Sequence, residues 1–134
     1  MDVFYSTLFS NLAKAIGIDT LSPNLSGRCE LVLDDKIPIA LITDNKGDRL
    51  LLISMIDLPE KFPIEHIAGG SLDSLYQGGP GIGFDETTKL VISWIALSRS
   101  ALDVNNILRA LKKLVECVEE WELRGKNYSA GEIL

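Results

Sequence analysis

Hydrophobic periodicity changes four times along these 134 residues, and the order of the changes restricts the fold more than any single residue does. From Val3 to Ile16 apolar residues recur at helical spacing: Phe4, Leu8, Leu12, Ala15 and Ile16, with Gly17 placed to end the helix. A second apolar line, Tyr5, Phe9 and Ala13, runs beside the first. It is either a widened core face or an exposed docking face, and the second reading is preferred because one stripe is enough to seat a helix on a sheet. The period then drops to two. Cys29, Leu31 and Leu33 alternate with polar neighbours, Asp34-Asp35-Lys36 makes a tight turn, and Ile37, Ile39 and Leu41 alternate again. Pro38 argues that this second strand lies at an edge or a strand end. The stretch 44–48 is a hairpin connection of Asp, Asn, Lys and Gly, and Leu50 to Ile56 is a third strand, apolar on both faces.

Between Pro59 and Pro80 the pattern weakens. Pro63 suits the first turn of a helix carrying Ile64, Ile67, Leu72, Leu75 and Tyr76, but Gly69-Gly70 interrupts it at a cost of about 2 kcal/mol relative to alanines. Gly78-Gly79-Pro80-Gly81 reads as a flexible joint. Two strands follow, Ile82 to Asp85 and Lys89 to Leu97, about a turn at Asp85-Glu86-Thr87-Thr88. Leu90, Ile92, Trp94 and Ala96 line one face of the later strand and Val91, Ile95 and Leu97 the other, so both faces call for burial. Asp103 caps a last helix whose stripe, Val104 to Trp121, is expected to close at Gly125. The expected architecture is therefore α+β, helix–βββ–helix–ββ–helix around a twisted antiparallel sheet. It occupies residues 1–125 as a single domain, with 126–134 as a flexible tail.

Composition narrows the function. Nineteen acidic against thirteen basic side chains leave a net charge of −6, a field that repels phosphate backbones and disfavours nucleic acid as a partner. The longest apolar runs, Ile37–Ile42 and Leu50–Ile53, fall far short of the ~20 residues of a spanning helix, and Met1-Asp2-Val3-Phe4 lacks the basic start of a secretory signal. The two cysteines, Cys29 and Cys117, stand far apart and read as reduced, buried thiols.

Catalytic motifs fail one by one. Gly78, Gly79, Gly81 and Gly83 fit neither phosphate-loop signature. His66 is the only histidine, with Ser71 and Asp73 beyond a glycine pair that prevents the fixed geometry general base work requires. Asp34-Asp35 and Glu119-Glu120 are a turn and a solvated helix face. No catalytic, cofactor or metal site is expected.

The helix ending Leu12-Ala13-Lys14-Ala15-Ile16-Gly17-Ile18, then Gly27-Arg28-Cys29-Glu30-Leu31-Val32-Leu33-Asp34-Asp35, resembles the opening of class I type III secretion chaperones. Gly81-Ile82-Gly83-Phe84-Asp85, Leu90-Val91-Ile92, Leu102-Asp103-Val104 and Glu119-Glu120-Trp121 are similar to their second half, and Gly69-Gly70 departs from their more regular middle helix. The resemblance implies a homodimeric chaperone of the bacterial cytoplasm, working without ATP. Such a chaperone holds the N-terminal segment of secreted effectors in extended form and meets the export apparatus, its ATPase included. It equally admits a regulatory partner-switch protein of the same fold, whose client is an anti-activator or a gate protein.

Two surfaces follow. An extended client needs a strand edge and aliphatic grooves, for which Leu31, Leu33, Ile37, Ile39 and Leu41 on the first two strands, and Tyr5 and Phe9 on the first helix, are the candidates; the strand residues serve equally well as core. The middle segment, too rich in glycine to stand alone, is expected to supply a two-fold interface through Ile64, Ile67, Leu72, Leu75 and Tyr76, joined by Ile82 and Trp94.

Overall fold

A computed structural model describes residues 3–24, 27–44, 48–63, 65–69 and 79–131. The order of elements is α1 (Val3–Ile16), β1 (Arg28–Leu33), β2 (Ile37–Asp44), β3 (Arg49–Ile56), β4 (Gly81–Asp85), β5 (Leu90–Ser98), a 3-10 turn over Arg99–Ala101, and α2 (Val104–Ser129). Residues 65–69 are also helical. The strands form one antiparallel sheet in the order β1-β2-β3-β5-β4, which places β1 and β4 at its two ends. The α+β reading and the order of strands and helices hold. Of the expected middle helix, Ile64, Gly70, Leu72, Leu75 and Tyr76 lie outside the described residues, as does the 45–47 part of the β2–β3 turn.

The chain divides into two compact units, Met1–Leu52 with Ala96–Leu111, and Ile53–Ile95 with Lys112–Leu134. In the first, α1 buries Tyr5, Leu8, Phe9, Leu12 and Ala13. That is the i, i+3, i+4, i+7, i+8 stripe of a helix laid on a core. The exposed docking face expected for Tyr5 and Phe9 is thereby corrected: each is 1% exposed. Both expected lines were partly right, since the true face joins Leu8 and Leu12 of one with Tyr5, Phe9 and Ala13 of the other. The guanidinium of Arg99 lies 4.5 Å from the Phe4 ring and 5.6 Å from that of Tyr5, a cation–π contact at the start of the helix. Gly17, at φ +88°, ends α1 with its N–H on the Ala13 carbonyl, since only a left-handed residue turns the chain there.

In the second unit Leu114, Cys117, Val118 and Trp121 of α2 are buried, together with Ile56, Phe62, Ile67, Ile82 and Val91. Asp103 caps α2 as expected, its Oδ1 accepting the Asn106 N–H at 2.7 Å. The expected stop at Gly125 is overturned: α2 runs on to Ser129. A Cβ at Gly125 would stand 2.8 Å from Leu58 Cδ2 and 2.9 Å from Pro59 Cδ. Glycine is there to let the 57–59 segment touch the helix, not to end it. The same contact is extended by Glu122, which accepts the Asp57 N–H at 3.1 Å, and by Phe62, whose ring meets Trp121 at 6.1 Å and Tyr128 at 5.5 Å edge to face.

Gly125→Val therefore overpacks this contact. The expected loss is about 1–3 kcal/mol, read from urea unfolding as a lower midpoint with an unchanged slope. Stability equal to wild type would show that the helix and the 57–59 segment are not in contact.

Candidate functional site

The β1–β2 ladder sets out the first surface. Its register runs from Arg28↔Ile42 to Leu33↔Ile37, with Val32 opposite Pro38. In an antiparallel pair, residues whose backbone groups point at the partner strand alternate with residues whose groups point away. Gly27 accepts the Thr43 N–H, while Arg28 spends both of its groups on Asn24: Asn24 N–H donates to its carbonyl at 2.9 Å, and its own N–H donates to Asn24 Oδ1 at 3.1 Å. Gly27, Cys29, Leu31 and Leu33 therefore bond toward β2, and Arg28, Glu30 and Val32 point away from it. This parity explains Pro38. Val32 and Pro38 face each other between hydrogen-bonded pairs, so the missing proline N–H costs the β1–β2 ladder nothing.

The edge reading of β2 is accordingly corrected. Strand β2 lies between β1 and β3, and the end of the sheet on that side is β1. The turn joining them is as tight as expected, with Asp34 and Asp35 at φ 54° and 57° and the Lys36 N–H on the Leu33 carbonyl.

Burial corrects the residue assignments as well. Leu31, Ile37, Ile39 and Leu41 are buried, as are Tyr5 and Phe9, and Leu33 is half-buried. None of the buried six offers a groove in this chain. The opposite face of β1 carries Arg28 and Glu30, paired at 3.0 Å, and Val32, which is 58% exposed. Val32 went unremarked in the sequence, although an aliphatic side chain in phase with two charged ones is the available signal. On the buried face, the Cys29 thiol is pushed up to about 11 by burial and, less, by Glu30.

The second surface is the pair β4 and β5, in the register Gly81↔Trp94, Ile82↔Ser93, Gly83↔Ile92 and Phe84↔Val91. Ser93 is fully buried; its hydroxyl donates to the Gly81 carbonyl at 3.0 Å and lies 3.5 Å from Cys117 Sγ, so this face of β5 meets α2. Ile82 shares that face and is buried, and Ile67 is buried too, which removes both from the expected two-fold interface. On the other face, Trp94 is 36% exposed, Leu90 is exposed and Ile92 half-buried. Met55, exposed on β3 opposite Ser54 and Ile56, is also open to solvent.

Trp94 also gives Gly81 and Gly83 a purpose. A Cβ at Gly81 would stand 2.5 Å from the indole Cε2 and Cζ2, and one at Gly83 3.2 Å from Cζ3. The ring lies flat across both glycines, as aromatic side chains cover glycine on a neighbouring strand. The joint expected at Gly81 is instead the first residue of a strand, and its glycine is a seat for an aromatic ring. The hairpin beyond is fixed by Asp85, which accepts the Thr88 hydroxyl at 2.8 Å and the Thr87 N–H at 3.0 Å; these bonds hold its carboxyl below the usual range.

Among the described residues no group of three or more His, Cys, Asp or Glu side chains could hold a metal ion, and no helix is long and apolar enough to cross a membrane. His66 packs its ring edge to face on Phe62 at 5.9 Å. The arrangement presents a strand edge and an aromatic–aliphatic sheet face, which are features for binding polypeptide.

Comparison with known proteins agrees with this geometry. The model of the Tir chaperone protein (CesT) family matches residues 7–122. A chain of the HopA1-SchA chaperone–effector complex is 27% identical, with a TM-score of 0.83, covering 91% of this chain and 98% of that one. A chain of the ExsC-ExsE complex is 23% identical with a TM-score of 0.78, covering 91% and 95%. A third, from the Yersinia pestis type III secretion chaperone SycH with a fragment of YscM2, is 16% identical with a TM-score of 0.70, covering 87% and 98%. These last two share the fold. No curated protein matches the sequence.

Two outcomes follow from the buried thiol and the glycine seat. The Cys29 thiol keeps its proton up to about 11 in the folded chain and loses it near the ordinary 9 when unfolded. The unfolded state then binds fewer protons between those values, so stability falls as pH rises through that window. Urea midpoints between pH 8.5 and 10.5 should fall less steeply in Cys29→Ala than in wild type, and equal slopes would contradict the assignment. Gly81→Ala should lift the indole from its seat, shifting Trp94 emission to the red in a Trp121→Phe background; unchanged emission would contradict the contact.

Proposed function

We propose that this chain, which belongs to the Tir chaperone protein (CesT) family, is a chaperone of type III secretion that works in the bacterial cytoplasm without ATP and carries out no chemical reaction. Its client is the N-terminal segment of a secreted effector, held in extended form and passed on to the export apparatus. The observation that carries this reading is the likeness, over nearly the full length of both chains, to a protein solved in the HopA1-SchA chaperone–effector complex. The physical basis is the β1 edge. An unfolded segment brings unpaired N–H and C=O groups together with spaced apolar side chains. Glu30 and Val32 aim backbone groups outward at the end of the sheet, and the exposed Val32 side chain gives an apolar contact beside them. A net charge of −6 favours neutral or basic segments over acidic ones.

The residues first proposed for the client, Leu31, Leu33, Ile37, Ile39 and Leu41 with Tyr5 and Phe9, act in this reading as the support under that edge. The chain acts as one chaperone domain and as a homodimer, through the sheet face of Trp94, Leu90 and Ile92. Isologous pairing of one apolar patch with its copy is the commonest symmetric solution. Burial of the patch contributes about 25 cal/mol per Å² of apolar surface.

Co-purification of the tagged chain with a secreted protein, identified by peptide mass spectrometry, tests the role. Val32→Asp should lose the client at least tenfold while keeping far-UV circular dichroism and particle mass. Full capture by that variant would defeat the proposed edge, and recovery of only a transcriptional regulator would defeat the effector reading. Trp94→Asp should shift light scattering to the 14.7 kDa monomer, against twice that mass for wild type. Equal masses would remove Trp94 from the interface.

A further inference from the structure

The structure assigns to Asn24 a second task, that of fixing where along β1 an added strand can begin to pair. The inference rests on the reading of β1 as an edge for strand addition. Three residues of β1 aim their backbone groups away from β2: Arg28, Glu30 and Val32. The first of these is already taken. Asn24 closes on Arg28 from both sides, its N–H donating to the Arg28 carbonyl at 2.9 Å and its Oδ1 accepting the Arg28 N–H at 3.1 Å. Its position is fixed in turn by the Gly27 N–H, which donates to the Asn24 carbonyl at 3.0 Å, and Gly27 itself takes a φ of +78° to make the turn.

Asn24 thus behaves as one residue of a strand laid against β1, occupying the site a client residue would need. An incoming segment can pair with Glu30 and Val32 but meets Asn24 at Arg28. At the other end the chain turns at Asp34 and Asp35. The edge therefore accepts a short pairing of defined register. This matters for specificity, because a slip of one residue sends every client side chain to the opposite face of the sheet. Beyond that pairing, client recognition falls to side chains such as Val32. Asn24 is a positioning residue, exposed at the surface, and its side chain is removable without opening a core.

The test uses the full chain labelled with nitrogen-15 and, as probe, an acetylated and amidated heptapeptide of alternating threonine and valine. In wild type the peptide should shift and protect the Glu30 and Val32 amide protons and leave that of Arg28 unchanged. Asn24→Ala releases only the Arg28 N–H, since the backbone N–H of residue 24 still donates to the Arg28 carbonyl. The Arg28 amide should then join those of Glu30 and Val32, and the peptide should bind about 2- to 10-fold tighter, the gain of one more backbone hydrogen bond. Asn24→Asp keeps the acceptor oxygen and should restore the wild-type pattern. Protection of Glu30 and Val32 that is blind to all three residues at position 24 would overturn the inference alone. Perturbation of Arg28 in the wild-type chain would do the same. No perturbation anywhere in 28–33 for any of the three proteins would overturn strand addition at β1, and this inference with it.

Discussion

The antiparallel register between β1 and β2 is the constraint on which the first unit depends. One pairing, Leu31 with Ile39, fixes the rest by alternation. It sends Cys29, Leu31, Ile37, Ile39 and Leu41 into the core and leaves Arg28, Glu30 and Val32 in solvent. It turns the backbone groups of Cys29 and Leu31 toward β2 and those of Arg28, Glu30 and Val32 outward. A slip of β1 by one residue would turn that strand over, burying an Arg–Glu ion pair and exposing Cys29, Leu31 and Leu33, an exchange no single domain of this size can absorb. The same parity turns the missing N–H of Pro38 away from β1 and leaves β1 with outward-facing backbone groups at the end of the sheet. The buried face and the outward-facing edge of β1 are two consequences of one register.

The second unit is organised by close approaches that only glycine permits. Trp94 rests over Gly81 and Gly83, and the 57–59 segment reaches α2 at Gly125. In each case the space a Cβ would fill is occupied by another side chain. These contacts explain why a chain with so many glycines still has a dense core there. On the helix side of β5, the fully buried Ser93 has its hydroxyl satisfied by the Gly81 carbonyl, so a polar residue sits in the core at little cost.

The sequence made much of this legible. Periods of 3.6 and 2 located both long helices and all five strands, and the Asp103 cap was visible from its residue type and place. What remained hidden has physical causes. Periodicity shows that Tyr5 and Phe9 share a face with each other, not whether a neighbour covers it. Pro38 marks a missing N–H but cannot say on which side of the strand the loss would matter. Gly125 carries the same letter whether it ends a helix or lets another segment touch it. Long-range pairing decides all three, and local pattern does not contain it. The family resemblance supplied the function that composition could only bound, and the family match over residues 7–122 agrees with it.

In the proposed reading, chaperoning by this chain reduces to one edge of one sheet, offered to a segment that has not folded. Amide hydrogen exchange of the wild-type protein bound to its co-purified effector tests this most directly. New protection should concentrate at residues 28–33, with the rest of the sheet unchanged. Tight effector binding with no gain of protection in that strand would contradict it.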